Sequence, residues 1–233
     1  MKRVIVDERI DGECERGLLE RGFEVIKLPS CKTLQAPVSA HPDMLLFIGK
    51  GRLVCHEDYY RIARCEIDKI ADGQRELVLT NEKWSADYPN DVLFNAAPVG
   101  DKLICNERSV SKKLAELYGA ENIVNVRQGY AKCASVVVGD NGIITADPSI
   151  ARAATAAGID VLVLSGSHTR LGGYDTGFLG GASGDDGECV FFTGNIDLHP
   201  EVEQIREFCK KQGREVCSLS SAPLYDYGSL IFI

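Results

Sequence analysis

The sequence predicts an α/β fold of five ββαβ units closed into a pseudo-five-fold ring. Three observations predict it. The stretch Cys133–Gly166 spells out one whole unit: strand, tight turn, strand, helix, strand. The same order recurs with first strands near residues 45, 92, 134, 177 and 229, a period of the kind that marks repeat architectures. The first unit lacks a leading strand, while the chain ends on a lone strand, Ser229–Ile233. A ring in which the last strand pairs with the N-terminal unit reconciles these facts. A doubly wound sheet with incidental hairpins predicts neither five regular hairpins nor an orphan final strand.

Each element follows from local chemistry. In the N-terminal unit (1–40 with 229–233), Lys2–Asp7 is an apolar strand and Gly12–Arg21 a helix stopped by Gly22. Phe23–Leu28 alternates as a half-buried strand, and Pro29–Ala40 is a linker. In the second unit (41–80), strands Met44–Ile48 and Arg52–Cys55 flank the turn Gly49-Lys50-Gly51. His56 opens a helix over Glu57–Ala71, and Glu76–Leu79 closes the unit. The third unit (90–127) reads as Val92–Asn95, a turn around Pro98–Asp101, Lys102–Cys105, a helix over Glu107–Tyr118 and a strand over Asn122–Val126.

The fourth unit (130–166) carries the sharpest signals. Gly139-Asp140-Asn141-Gly142 supplies the positive-φ residues a tight hairpin needs. Asp147-Pro148 pairs an N-cap acceptor with proline at the first helical position, and Gly158 stops the helix. The fifth unit (172–220) is looser. Gly177–Leu179 is its first strand, residues 180–187 a glycine-rich turn, and Cys189–Thr193, Pro200–Gln212 and Arg214–Leu219 its second strand, helix and third strand. The whole chain, 1–233, forms one domain on this reading.

Composition narrows the function. Of 233 residues, 45% are hydrophobic and 26% charged, ordinary for a globular protein. No apolar run approaches a membrane span of about 20 residues, and the charge directly after the first apolar run is unlike a signal peptide. A net charge of −8 disfavours broad nucleic-acid or membrane binding while leaving room for a local basic patch. The nine cysteines are scattered without any Cys-x-x-Cys pair, so neither a zinc site nor a disulfide framework is expected. Cys105, Cys189 and Cys217 read as small hydrophobes in strands. An odd count with no export signal points to the cytoplasm. No cofactor is implied: the glycine-rich segment Leu171–Gly187 lacks the strand-to-helix context of a dinucleotide site, and no P-loop is present. His168 and His199 fall in turns and are expected in solvent.

In such a ring, the residues just before each first strand meet near one mouth of the central channel. Here they are His41-Pro42-Asp43, Asn90-Asp91, Tyr130 to Cys133, Gly173-Tyr174-Asp175 and Tyr225-Asp226-Tyr227. Each set is polar or reactive where the chain turns into an apolar strand.

Five such units resemble the pentein fold, the α/β-propeller of the guanidino-modifying enzymes: arginine and agmatine deiminases, dimethylarginine dimethylaminohydrolases and amidinotransferases. The initiation-factor-six family shares that fold without catalysis. His41-Pro42-Asp43 before Met44–Phe47 is similar to the His-x-Asp of the enzymes, and Cys133 stands where a nucleophile opens a first strand. The resemblance implies Cys133 as nucleophile, His41 as general acid/base and Asp226 as its orienter. Asp43 and Asp175 would bind the substrate cation, with Asn90, Asp91, Tyr130 and Tyr174 lining the site. Lys132 could help lower the thiol pKa. The partner implied is a small guanidino or amidino compound. Two departures stand against the pattern. The enzymes' nucleophile belongs to the last unit, where this chain has Gly228, and Gly173 replaces histidine in a second His-x-Asp-like run. A non-catalytic binder of a protein or small ligand is the rival reading.

Overall fold

The computed structural model describes residues 2–233, and its strands form five three-stranded sheets. The N-terminal unit consists of β1 (Arg3–Asp7), α1 (Gly12–Glu20) and β2 (Glu24–Leu28). The second holds α2 (Pro42–Leu45), β3 (Leu46–Gly49), β4 (Arg52–His56), α3 (Glu57–Ile62), α4 (Arg64–Ala71) and β5 (Glu76–Thr80). The third has β6 (Ala97–Val99), β7 (Lys102–Cys105), α5 (Lys112–Tyr118) and β8 (Ile123–Asn125). The fourth has β9 (Val136–Val138), β10 (Gly142–Thr145), α6 (Pro148–Ala156) and β11 (Asp160–Val163). The fifth has β12 (Ser183–Asp185), β13 (Cys189–Phe192), α7 (Val202–Lys211) and β14 (Glu215–Ser218), and β15 (Ile231–Phe232) ends the chain.

One topology repeats in all five sheets. The first strand runs antiparallel to the second, which runs parallel to the third. In the N-terminal sheet the first strand is β15, paired with β1 in the register Val4 to Phe232 and Ile5 to Ile231. The orphan C-terminal strand thus completes the first unit. Among first strands, β9 lies against β6 and β12, and β12 against β15.

The core runs between units. Ile150 and Ala154 of α6 pack with Ala97, Ile104 and Val124 of the preceding sheet. Ile205 and Cys209 of α7 pack with Val136, Val138 and Ile144. Cys14 and Leu18 of α1 pack with Cys189 and Phe191 of the fifth sheet, so the last unit is joined to the first. Burying one such side chain contributes roughly 1.5–3 kcal/mol, enough that these clusters outweigh any single polar contact at their edges.

Caps lie where the sequence places them. Asp147 accepts from the N–H groups of Ser149 and Ile150 with Pro148 in the first helical turn, and His56 caps α3 through Asp58 N–H. Several expectations need correction. Met44 and Leu45 belong to a helical turn that Pro42 starts at its first position, not to a strand. The helix expected over Glu57–Ala71 is broken at Ala63 (φ −112°, ψ 34°). Val92–Asn95 forms a turn, with Asn95 N–H donating to Val92 C=O, and the strand starts only at Ala97. Gly177–Leu179 is likewise not the first strand of its unit; β12 lies inside the segment read as a turn. The Cys189 and Cys217 sulfurs are bonded to each other between β13 and β14, not separate thiols, and the other seven cysteines are free. His199 is buried rather than solvated. No helix of the described residues is long and apolar enough to cross a membrane.

Candidate functional site

The turns that precede the first strands bring a buried polar cluster together. Cys133 lies in the turn from Tyr130 to Ser135, where Ala134 N–H donates to Tyr130 C=O and Ser135 N–H to Lys132 C=O. Its side chain therefore leaves a turn, not a strand. Asn95 fixes it: Oδ1 accepts from Lys132 N at 2.8 Å and Cys133 N at 3.2 Å, and Nδ2 donates to Cys133 Sγ at 3.0 Å. The thiol lies 3.2 Å from Asp43 Oδ2. Cys133 and Asp43 are only 3% and 2% exposed, so solvent does not screen this contact.

Asp43 comes from α2, whose start is docked onto the C-terminal turn through Asp43 N–H to Gly228 C=O, 3.1 Å. Ser229 Oγ donates to Asp43 Oδ2 at 2.7 Å and itself accepts from Lys132 Nζ at 2.9 Å. Asp43 Oδ1 has no protein partner. Asp226 accepts from Phe178 N and Gly228 N, each at 2.9 Å. His41 stands between two carboxylates, with Nδ1 3.8 Å from Asp226 Oδ1 and Nε2 3.9 Å from Asp7 Oδ2. Arg9 clamps Asp7 from the other side with Nε–Oδ1 at 2.9 Å and Nη2–Oδ2 at 2.6 Å.

Burial sets the protonation states. It holds His41 down to about 4, with Asp43 opposing and Arg9 reinforcing the shift, so the imidazole is neutral at pH 7 and its approaches to the carboxylates are not ion pairs. Burial, joined by the charge of Asp43, pushes Asp226 up to about 7. Burial pushes the Cys133 thiol well above its usual range; Asp43 and Asp226 add to that, and the Asn95 amide opposes it. Lys132 is lowered by burial against the pull of Asp43. In the free protein Cys133 is a protonated thiol.

The structure thus gathers Cys133, Asp43, His41 and Asp226, contributed by three different units. Asp91 and Tyr130 meet each other, the phenol donating to Asp91 Oδ2 at 2.6 Å, and Tyr130 stacks on Phe178. Asn90, Tyr174 and Asp175 lie outside the group. Asn90 folds back on Asp87, Tyr174 is exposed and donates to Gln35 Oε1, and Asp175 is exposed. Asn95, Ser229 and Asp7 were not foreseen. Asn95 and Gly180 occupy the places just before β6 and β12 that the repeat assigned to residues further back. Gly180 and Gly181 press so closely on Cys133, Ser135 and Asp226 that any side-chain carbon there would collide.

A second group could hold a metal: His168, His199 and Glu201, whose ligand-capable atoms lie within 4.8 Å of one another. Local bonds already engage it. His199 Nδ1 accepts from Glu201 N, and Glu201 Oε2 accepts from the N–H and hydroxyl of Ser165. They tie Glu201 to the end of β11 and His199 to the start of α7, while His199 Nε2 is buried without a hydrogen-bond partner among the described residues.

Comparison with solved structures agrees with this architecture. A dimethylarginine dimethylaminohydrolase variant from Pseudomonas aeruginosa, complexed with citrulline, superposes with a TM-score of 0.59 at 10% identity, covering 94% of this chain and 92% of that one. The amidinotransferase SxtG of Microseira wollei, from the saxitoxin biosynthetic pathway, gives 0.53 at 10% identity over 93% and 88%. The agmatine deiminase of C. jejuni gives 0.53 at 11% identity over 94% and 86%. At such identities the likeness establishes the fold alone. No curated protein matches the sequence. With a family profile matching residues 5–231, the chain belongs to the family of unknown function DUF6873, and it has the pentein fold of the guanidino-modifying enzymes.

Proposed function

We propose that the buried cluster around Cys133 binds a small guanidino or amidino cation and that Cys133 attacks its central carbon. The observation that carries this reading is the contact of the Cys133 thiol with the Asp43 carboxylate. Asp43 and Asp226 would pair with the planar cation, whose N–H edges suit carboxylate oxygens. With their charge balanced, the two carboxylates no longer oppose thiol ionisation, and the cation favours the thiolate. His41, neutral in the free protein, takes the thiol proton. The thiolate adds to the carbon, and the C–N bond breaks as His41 passes that proton to the leaving ammonia or amine. Water then adds to the thioether carbon, losing a proton to His41, and the C–S bond breaks with return of that proton to the sulfur, giving a ureido product from a guanidine or an amide from an amidine, and the free thiol.

Entry would come through the cavity of about 260 Å³ lined by Ala134, Thr145, Gly177 and Phe178. Its lining residue Ala134 follows Cys133 in the chain, and Asp226 accepts from the N–H of another lining residue, Phe178. Seven free cysteines, Cys133 among them, favour a cytoplasmic setting, while the Cys189–Cys217 bond weighs against it. Lys132 favours a second reading, in which a ligand binds without turnover. Its amine, linked through Ser229 to Asp43, already occupies the hydrogen-bonding side of that carboxylate where a guanidinium would bind.

The test compares chloroacetamidine, an alkylator carrying an amidinium, with neutral chloroacetamide, using exposed Cys65 as the internal reference. Cys133 should prefer the amidine by at least about tenfold, the effect of one pKa unit in the thiol. Equal preference at Cys133 and Cys65 would sink the cation site. Ammonia or amine release from a guanidino panel that survives Cys133→Ala would sink the nucleophile, and binding without any release selects the second reading.

A further inference from the structure

A cavity of about 880 Å³ opens where the third unit meets the fourth, and three elements line it: the loop after β7, the end of β8, and α6. Each element contributes one exposed arginine, Arg108, Arg127 and Arg152 respectively. No aspartate or glutamate lines the cavity. Among the described residues none of the three arginines has a salt-bridge partner, nor do Arg16, Arg21, Arg75 and Arg170, whereas Arg3, Arg9, Arg52, Arg61, Arg64, Arg206 and Arg214 each have one; the cavity is where three unpaired arginines meet. In a chain with 34 acidic residues against 26 basic ones, three unpaired arginines around one space need an explanation. Like charges so placed repel one another unless an anion joins them.

The arginines are also held in place. Asn106 Oδ1 accepts from Arg108 N at 3.1 Å, while its Nδ2 donates to Arg127 C=O at 2.9 Å, so one side chain ties both backbones together. Asn125 Oδ1 accepts from Glu107 N at 3.2 Å and fixes the same loop from β8. On α6, Ser149 and Arg152 are three residues apart and face the cavity together. The site is therefore preset rather than assembled by flexible side chains alone.

Its chemistry selects the ligand. Guanidinium forks match phosphate oxygens two at a time, and Ser149 and the asparagines supply neutral polar groups. The volume falls within the roughly 300–1,000 Å³ of small-molecule sites. A long nucleic acid would extend beyond the arginines onto the surface of a chain whose net charge is −8, whereas a compact polyphosphate needs only the local patch. We propose that this cavity binds a phosphorylated small molecule of nucleotide size, at a site distinct from the Cys133 cluster.

Isothermal titration of the full chain with ATP, pyrophosphate, citrate and a single-stranded oligonucleotide tests this. ATP or pyrophosphate should bind once per chain and more tightly than citrate. Arg108→Ala and Arg152→Ala should each weaken binding roughly tenfold, the effect of one lost charged hydrogen-bonding group. Arg152→Lys should weaken it too, because the fork is lost, while Arg64→Ala should leave it unchanged. Unaltered melting temperatures would show that the variants are folded. The proposal is overturned if neither phosphorylated probe binds, if Arg108→Ala/Arg152→Ala binds as the parent does, if citrate matches pyrophosphate, or if the oligonucleotide binds more tightly than ATP.

Discussion

Cys133 Sγ and Asp43 Oδ2 lie 3.2 Å apart, a thiol and a carboxylate from different units meeting in a buried turn-to-turn contact. The Asp43 carboxylate accepts the thiol hydrogen and opposes its loss, so the same contact that orders Cys133 holds its thiol up and keeps it unreactive. A bound cation paired with Asp43 would shift that balance towards the thiolate.

Asp43→Asn should therefore make Cys133 more acidic, not less. Neutral chloroacetamide should label it faster than in the parent at pH 8, by about tenfold for each unit by which the thiol pKa falls. The preference for the amidine should shrink at the same time, because the carboxylate that attracts the amidinium is gone. Slower labelling by both reagents would mean that Asp43 activates the thiol, and the electrostatic account above would be wrong.

Asp226 and His41 should bend the pH dependence of stability in opposite senses. Asp226 ionises near 3.8 when unfolded and is pushed up to about 7 by burial and Asp43. Between those values the native state holds a proton that the unfolded chain has lost. The stability from this group is full below about 3.8 and is lost as pH rises through about 7. His41 is lowered from 6.5 to about 4 by burial, so its contribution is full above about 6.5 and is lost as pH falls towards 4. The two slopes offset each other in the parent. Asp226→Asn should leave only the His41 slope, so its melting temperature should climb relative to the parent between pH 4.5 and 6.5. A constant difference across that range would show that Asp226 titrates normally.

Gly228 should tolerate no side chain. Its φ is +71°, and a β-carbon there would overlap the backbone and side chain of His41. Gly22 has a similar φ of +83° with open space around it. Gly22→Ala should thus cost only the left-handed backbone penalty, about 1–2 kcal/mol. Gly228→Ala adds the steric overlap and should lower the melting temperature well beyond Gly22→Ala. Equal losses would mean that the C-terminal turn can move away from His41.

The order of the five units was legible because apolar runs, Gly-rich hairpins and the Asp147-Pro148 cap are local signals, and the lone C-terminal strand had only one sheet to complete. The grouping of candidate residues was legible where each lies near a first strand identified nearly in register: His41, Asp43, Cys133 and Asp226. It was lost where the register slipped. Val92–Asn95 is as apolar as a strand but folds as a turn, so the inward residue is Asn95 rather than Asn90 or Asp91. In the fifth unit Ser183–Asp185 has no apolar run, being tied instead by backbone bonds to β13 and covered by Leu230. That displaced the expected site residues to Tyr174 and Asp175. Proline at position 42 was a helix signal in plain view.

Asn95 offers the sharpest separation of scaffold from chemistry. Its Oδ1 accepts from two backbone N–H groups, Lys132 and Cys133, while its Nδ2 donates to the thiol sulfur. The first pair of bonds shapes the Cys133 turn, and the last one favours the thiolate. Asn95→Ala removes all three and leaves two buried N–H groups unpaired, at about 1–3 kcal/mol each. It should melt far below the parent. Asn95→Asp keeps both acceptor bonds but trades the amide donor for a charge beside the sulfur. It should stay folded while Cys133 labels more slowly with chloroacetamide at every pH up to 9, the reverse of Asp43→Asn. If Asn95→Asp labels as fast as the parent, the amide does not act on the thiol and Asn95 is a turn-forming residue alone.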